Sequence, residues 1–255
     1  MKKILALLLA FLLLVPCLAS CKSEDSDELT LRVGTFNIKN GGKGVSYDMS
    51  VLANDIKACD LDVVGLQEVD VKTKRSGYID ALKLLAEAAG YQYYEFAKAI
   101  DYQSGEYGTA ILSRYPIVSF EVTPLFVGAE MEGRSVGHAV IDVNGKNIDF
   151  FNTHLTVEDK NVRSSQFETL NEMVQGSATF IITADFNTEQ ESDFLKIKNS
   201  IRANNLQFKT FSGKSAIDDI ILFNKWTVLD KGMKDIGTHS DHHLLWAEIK
   251  YDGTL

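Results

Sequence analysis

Acidic, amide and imidazole side chains recur in this sequence where apolar runs end. IITADFN closes on Asp185 and Asn187, TFNIKN carries Asn37, VVGLQEVD carries Glu68, and FFNTHL carries His154. AIDDIIL adds Asp218 and Asp219, and THSDHHLL adds Asp241, His242 and His243. Asp185 and Asn187 are separated by one residue, so on a continuing strand both side chains leave the same face. Carboxylate and amide oxygens suit a hard dication such as Mg²⁺ or Mn²⁺, and histidines suit acid–base work or contacts to phosphate. Singly, each residue has an ordinary explanation. Asn37 forms a turn, Glu68 is a surface charge, His154 is a satisfied core histidine, Asp218 guards a strand edge, and Ser240-Asp241 turns the chain. Asn187 or Thr188 would likewise cap a helix, with Thr188 and Glu191 forming a capping box. Together these explanations fail on energy. A carboxylate inside AIDDIILF costs several kcal/mol to bury unless paired or metal-bound, and repeating that cost makes sense only if the strand ends converge.

The elements that must position these groups are mostly strands. Alternating or continuous apolar runs occupy 29–38, 63–69, 91–99, 109–114, 117–125, 135–143, 148–156, 179–185, 217–223, 226–231 and 244–251. Helical spacing lies between them, at Met49, Leu52 and Ile56 and at Phe167, Leu170 and Val174. A further helix over 78–89 stops at Gly90, and NGK at 144–146 predicts a tight hairpin turn. Many strands with few helices predict a layered α/β protein rather than a dinucleotide-binding sheet. GGKG at 41–44 lacks the spacing of a phosphate-binding motif and reads as a flexible loop. No linker divides the chain.

Read in order, TFNI, LQEVD, YGTAILSRYPI, NTHL, ADFNT, IDDI and SDHH resemble the motifs of the endonuclease/exonuclease/phosphatase superfamily. That superfamily holds the DNase I-like nucleases, abasic-site endonucleases, inositol polyphosphate 5-phosphatases and neutral sphingomyelinases. The resemblance runs from about residue 30 to 250. It implies a four-layered α/β sandwich, two face-to-face mixed β-sheets flanked by helices. It also implies roles. Glu68 is the principal metal ligand, with Asn37 in the metal's shell or on the phosphate, and Asp241 completes the metal side. Asp185 orients or deprotonates the attacking water, and Asn187 holds water or phosphate. His242, oriented by Asp218, binds phosphoryl oxygens or assists the leaving group, and His154 is the second phosphate-facing histidine. Softer matches place Arg75 and Arg134 either on the phosphate or at the solvated surface. Tyr107 either lines the site or merely precedes a turn at Gly108. Arg163 and Gln166 read as surface-facing helix residues. Ala184, Thr109, Ala216 and Asp219 depart from the family pattern, and the last two fall where relatives often touch substrate.

The chain begins MKKILALLLAFLLLVPCLASC, two lysines and an apolar run too short to cross a membrane. LASC at 18–21 resembles a bacterial lipobox, so 1–20 reads as a signal peptide, Cys21 as a lipidation site with an acidic tether to residue 28, and 29–255 as the catalytic domain. That predicts an exported cell-envelope lipoprotein, periplasmic or surface-facing, held to the membrane by its anchor alone. Cys59 is then the one remaining cysteine, so stability rests on a hydrophobic core rather than disulfides. Removing Lys2 and Lys3 takes the net charge from −9 to about −11, against the basic face that nucleic-acid binders carry. The expected activity is divalent-metal-dependent hydrolysis of a phosphodiester or phosphomonoester by in-line attack of water. The substrate would be a phosphorylated small molecule, phospholipid head group or nucleotide, and the protein a monomer. The alternatives are an endonuclease using the same machinery, or a non-catalytic surface lipoprotein that grips a phosphorylated ligand.

Overall fold

The computed structural model describes residues 28–41 and 48–253. The leader, Cys21, its acidic tether and most of GGKG lie outside the described residues. The remaining chain forms two six-stranded sheets. In spatial order the first holds β11 (Trp226–Lys234), β12 (Leu244–Tyr251), β1 (Thr30–Asn37), β2 (Val63–Val71), β4 (Gly105–Ser113) and β3 (Tyr93–Tyr102). The second holds β5 (Ile117–Leu125), β6 (Arg134–Val143), β7 (Lys146–His154), β8 (Ile181–Asp185), β10 (Asp218–Phe223) and β9 (Ser200–Arg202). Sequence reading missed β9, which is three residues long and too short to show a periodicity.

Three apolar clusters define the layers. One lies between the first sheet and helices α1 (Met49–Ala58) and α2 (Ala81–Ala89), and joins Phe36, Val64 and Leu112 to Leu52, Ile56 and Leu85. The second fills the space between the sheets, with Val33, Val63 and Ile111 meeting Phe150, Ile181 and Ile220. The third packs the far face of the second sheet against α3 (Lys160–Met173) and α4 (Glu191–Phe194) through Phe151, Ile182, Ile221 and Phe167. Neighbours in sequence such as Val63 and Val64, or Phe150 and Phe151, therefore enter different cores. That is why these strands read as unbroken apolar runs: both faces of each sheet are covered. The arrangement is the four-layered sandwich that the motifs imply.

Helix ends follow local chemistry. Asp48, Asp80 and Asp159 each cap a helix by accepting backbone N–H bonds, and Gly90 ends α2 at φ 84°. The expected start at residue 78 is corrected to Ala81, because Tyr78 sits at φ 62° and cannot be helical. The capping box at Thr188 is also corrected. Helix α4 begins at Glu191 behind Gln190, and Thr188 Oγ1 instead accepts the Gln190 N–H at 3.1 Å. The NGK turn forms as read, with Asn144 and Gly145 both at positive φ.

Each sheet contains one parallel pair, β1 with β2 and β7 with β8, bridged by α1 and α3. Loops at the carboxyl ends of parallel strands are free to build a binding site. The polar strand ends lie there.

Candidate active site

Strand register does much of the positioning. His154 pairs with Asp185 across β7 and β8, and Asp185 pairs with Asp218 across β8 and β10, so three adjacent strands set the three side chains in one row. In the first sheet Asn37 ends β1 opposite Gln67. The pairing of β2 with β4 slips between Leu66 and Val69, and Glu68 in that bulge adopts φ 55°. The bulge lets Gln67 reach inward to Thr35 Oγ1 and Asn152 Oδ1, at 3.0 and 2.7 Å, while Glu68 lines the cleft. Asn187 follows β8 at φ 51°. Left-handed backbone at a non-glycine residue costs free energy, and it clusters where function demands a particular side-chain direction.

These groups meet in a cleft of about 420 Å³. Asn37 stands behind its wall and donates from Nδ2 to Glu68 Oε1 at 3.1 Å and to Asp185 Oδ2 at 3.0 Å, joining the two sheets. Its Oδ1 accepts the Lys39 N–H at 3.1 Å. Asp185 Oδ1 accepts the Asn187 N–H at 3.0 Å, while Oδ2 lies 3.5 Å from Nε2 of both His154 and His242. Asp218, also behind the wall, accepts from His242 Nδ1 at 2.8 Å. Ser240 Oγ donates to the Asn37 carbonyl and accepts the His242 N–H, tying the two ends of the site together.

The two histidines carry opposite charge states. Asn187 Nδ2 lies 2.9 Å from His154 Nε2, and an amide nitrogen only donates, so Nε2 accepts and the ring is neutral. Burial, reinforced by the charges of Arg134 and His242, pushes His154 well below its usual range, in agreement. Burial also opposes charge on His242, but Asp218 and Asp185 outweigh it and hold the imidazolium up to about 10. Burial, with the Asp218 charge behind it, pushes Asp185 up to about 7. A carboxyl so placed can take a proton near neutral pH.

A cationic wall faces this row. Arg75 is clamped by Asp70 through Nε and Nη2, both at 2.8 Å, and by Asn40 Oδ1 at 2.6 Å. Its guanidinium lies 4.5 Å from the Tyr102 ring centroid and 5.2 Å from that of Tyr107. Arg134 is buried and paired with Glu132, and Lys39 pairs with Asp241. Arg75, Arg134 and Tyr107 all line the cleft. Gly108 makes no turn; it lies within β4, where an added Cβ would stand 2.1 Å from the Ala97 carbonyl oxygen.

Some expectations are corrected. Arg163 and Gln166 are buried: Gln166 accepts the Thr156 N–H and donates to the Phe126 carbonyl, and Arg163 donates to the Thr156 carbonyl. They hold the loop after β7, because unpaired carbonyls and amides there need partners. Asp219 turns away from the cleft and binds Arg202 and the Asn204 N–H. His243 accepts the Ile236 N–H at 3.4 Å and does not line the cleft. Sequence reasoning missed Lys39, Glu132, Glu158 and Phe211, all in the cleft wall. Lys39 stood within the quoted TFNIKN, two residues from Asn37; the others carry no local signal.

Two places bear on a metal. Ligand atoms of Asp185, Asp218 and His242 lie within 4.8 Å of one another. Within this trio Asp218 already engages His242 Nδ1 at 2.8 Å. Glu68 differs. It lines the cleft, Asn37 bonds its Oε1, and among the described residues nothing bonds Oε2. That carboxylate, with Asp185 joined to it through one amide, fits a hard cation.

The model of the Endonuclease/Exonuclease/phosphatase family matches residues 34–242, and the chain belongs to that family. Its members are hydrolases of phosphoesters that generally require a divalent metal. No curated protein sequence matches this chain. Solved structures share the fold. A family member from Beutenbergia cavernae superposes with a TM-score of 0.74 at 20% identity, covering 88% of this chain and 72% of that one. A mannosyl-6-phosphatase from Bacteroides thetaiotaomicron gives 0.64 at 22% identity, covering 86% and 99%. A humanized D. rerio TDP2 gives 0.66 at 16% identity, covering 86% and 98%.

Proposed function

We propose that this protein is a hydrolase of phosphoester bonds that works with Mg²⁺ or Mn²⁺ and activates water for in-line attack. One observation carries the reading: a carboxylate poised near neutrality, Asp185, stands between a neutral and a charged histidine beside the available oxygen of Glu68. Glu68 would hold the metal, with Asn37 and Asp241 on the same side; when bound, the ion neutralises phosphate charge and lowers the pKa of water. Asp185, aimed by Asn37 and the Asn187 N–H, takes the proton of the attacking water. The water oxygen forms the new P–O bond as the ester P–O bond breaks. His242, kept cationic by Asp218, faces the phosphoryl oxygens and supplies a proton to the leaving oxygen. His154 and Asn187 hold water or phosphate, and Arg75 and Arg134 face the phosphoryl oxygens as hydrogen-bond donors. Tyr107 stiffens Arg75 by lying under it.

The substrate would be a phosphorylated small molecule, a phospholipid head group or a nucleotide. The mannosyl-6-phosphatase of the same fold makes a sugar phosphate one concrete candidate. Export and anchoring through Cys21 would place the enzyme in the cell envelope. Hydrolysis of p-nitrophenyl phosphate and bis(p-nitrophenyl) phosphate, with Mg²⁺ and with chelator, tests the reading. Activity is expected to vanish with chelator and in Glu68→Ala and His242→Ala; full activity in either variant sinks it.

A further inference from the structure

The cations of the cleft are already matched by carboxylates. Asp241 takes Lys39, Asp70 takes Arg75, Glu132 takes Arg134 and Asp218 takes His242. Glu68, Asp185 and Glu158 line the cleft in addition, and among the described residues neither Glu68 nor Glu158 has an ion pair. One divalent ion matches the charge of one phosphoryl group and leaves that negative surplus in place. A second phosphate would meet no uncompensated cation, and it would meet the carboxylates of the rim.

Glu158 is built into that rim. Its carboxylate accepts from the Thr156 hydroxyl, from the Val157 N–H at 3.1 Å and from the Glu132 N–H at 3.5 Å. The first two fix the Glu158 carboxylate within the loop after β7, and the third joins that loop to the loop before β6, where the partly exposed Glu132 also lines the cleft. Fixed carboxylates there accept hydrogen bonds from hydroxyls or attract a cation. A quaternary ammonium would need open aromatic faces. Tyr102 and Tyr107 lie against Arg75, and Phe211 packs 4.8 Å from the His242 ring. Hydroxyl donors fit better. A cleft of about 420 Å³ is also of small-molecule size.

We infer that the substrate carries a single phosphoryl group on a neutral, polyhydroxylated alcohol, and that Glu132 and Glu158 select it by accepting hydroxyl hydrogen bonds and repelling further anionic charge. The inference rests on the hydrolase reading above. The test measures kcat/KM of the full chain with Mg²⁺ on hexose monophosphates, hexose bisphosphates, phosphocholine, a short oligonucleotide and p-nitrophenyl phosphate. Hexose monophosphates should exceed bisphosphates and the oligonucleotide by at least about tenfold. Glu158→Gln should lower the ratio of hexose phosphate to p-nitrophenyl phosphate turnover about tenfold, and Glu158→Lys should raise relative turnover of bisphosphates. Preference for the bisphosphate, oligonucleotide or phosphocholine overturns the inference while leaving the hydrolase reading intact, as do unchanged ratios in both variants. A chain that hydrolyses none of the panel, p-nitrophenyl phosphate included, overturns both.

Discussion

Replacing Asp218 by Asn removes a charge 2.8 Å from His242 Nδ1 while keeping an acceptor of the same size. The ring is about 5% exposed, so the cost of burying its charge is offset by its carboxylate neighbours, Asp218 and Asp185 first and Asp241 after them. Asp218 is the largest of these contributions. Its loss should lower His242 from about 10 by roughly 2 units, on the order of 3 kcal/mol of differential stabilisation. At pH 9 the wild-type ring is then about nine-tenths protonated and the variant's about one-tenth. If the imidazolium is the active form, the basic limb of kcat/KM moves down by about two pH units, and the deficit of the variant grows about tenfold between pH 7 and pH 9. Proton NMR of the metal-free protein follows the ring directly. Stability should change with the same sign. The folded state holds His242 above its unfolded value of about 6.5, so the interaction stabilises fully below that pH and is lost as pH rises through about 10. Wild-type Tm should therefore fall over that window more steeply than that of Asp218→Asn. A basic limb that stays near its wild-type position in a folded variant refutes the assignment of charge to His242.

Two further outcomes test other parts of the structure. If Glu68 holds the dication with a millimolar Kd, 10 mM Mg²⁺ stabilises the fold by about 1.4 kcal/mol, a Tm rise of roughly 3–5 °C in a domain of this size; thermal denaturation should show that rise in the wild type and none in Glu68→Ala. Gly65 of the first sheet faces the second, and an added Cβ would stand 2.1 Å from Thr183 Oγ1 and 2.4 Å from Asn152 Oδ1. Gly65→Ala should cost about 3 kcal/mol or more in chemical denaturation, because both contacts belong to a buried polar network that cannot yield.

Most of the fold is legible in the chain because each sheet is buried on both faces. Runs such as FIITAD and IDFFNTH set adjacent apolar residues on both faces and stop at polar residues, so eleven of the strands show their place and approximate ends. The exception, β9, pairs with β10 for only three residues and owes its existence to that neighbour. Helix starts were read less well than helix ends. Gly90 announces itself by its backbone freedom, whereas the choice between Tyr78, Asp80 and Ala81 turns on one left-handed residue.

The candidate site divides the same way. Residue type and order were enough to nominate Asn37, Glu68, His154, Asp185, Asn187, Asp218 and His242, because buried polar groups in apolar strands need a shared reason. Their partnerships were not in the order of residues. Register alone sets His154, Asp185 and Asp218 in one row, and sheet packing alone brings Asn37 of β1 within 3.0 Å of Asp185 of β8. Charge states followed from those partnerships: one histidine is neutral beside Asn187, and the other is cationic beside Asp218. Glu132 and Glu158 look like any surface acids in the chain, and Arg163 and Gln166 like any polar helix residues. Only the folded loops show that the first two face the cleft and the last two are buried. Composition and spacing determined what kinds of chemistry this protein carries. Which group holds which proton was decided by the tertiary structure, since a pKa depends on burial and on charges that are near in space and remote in sequence.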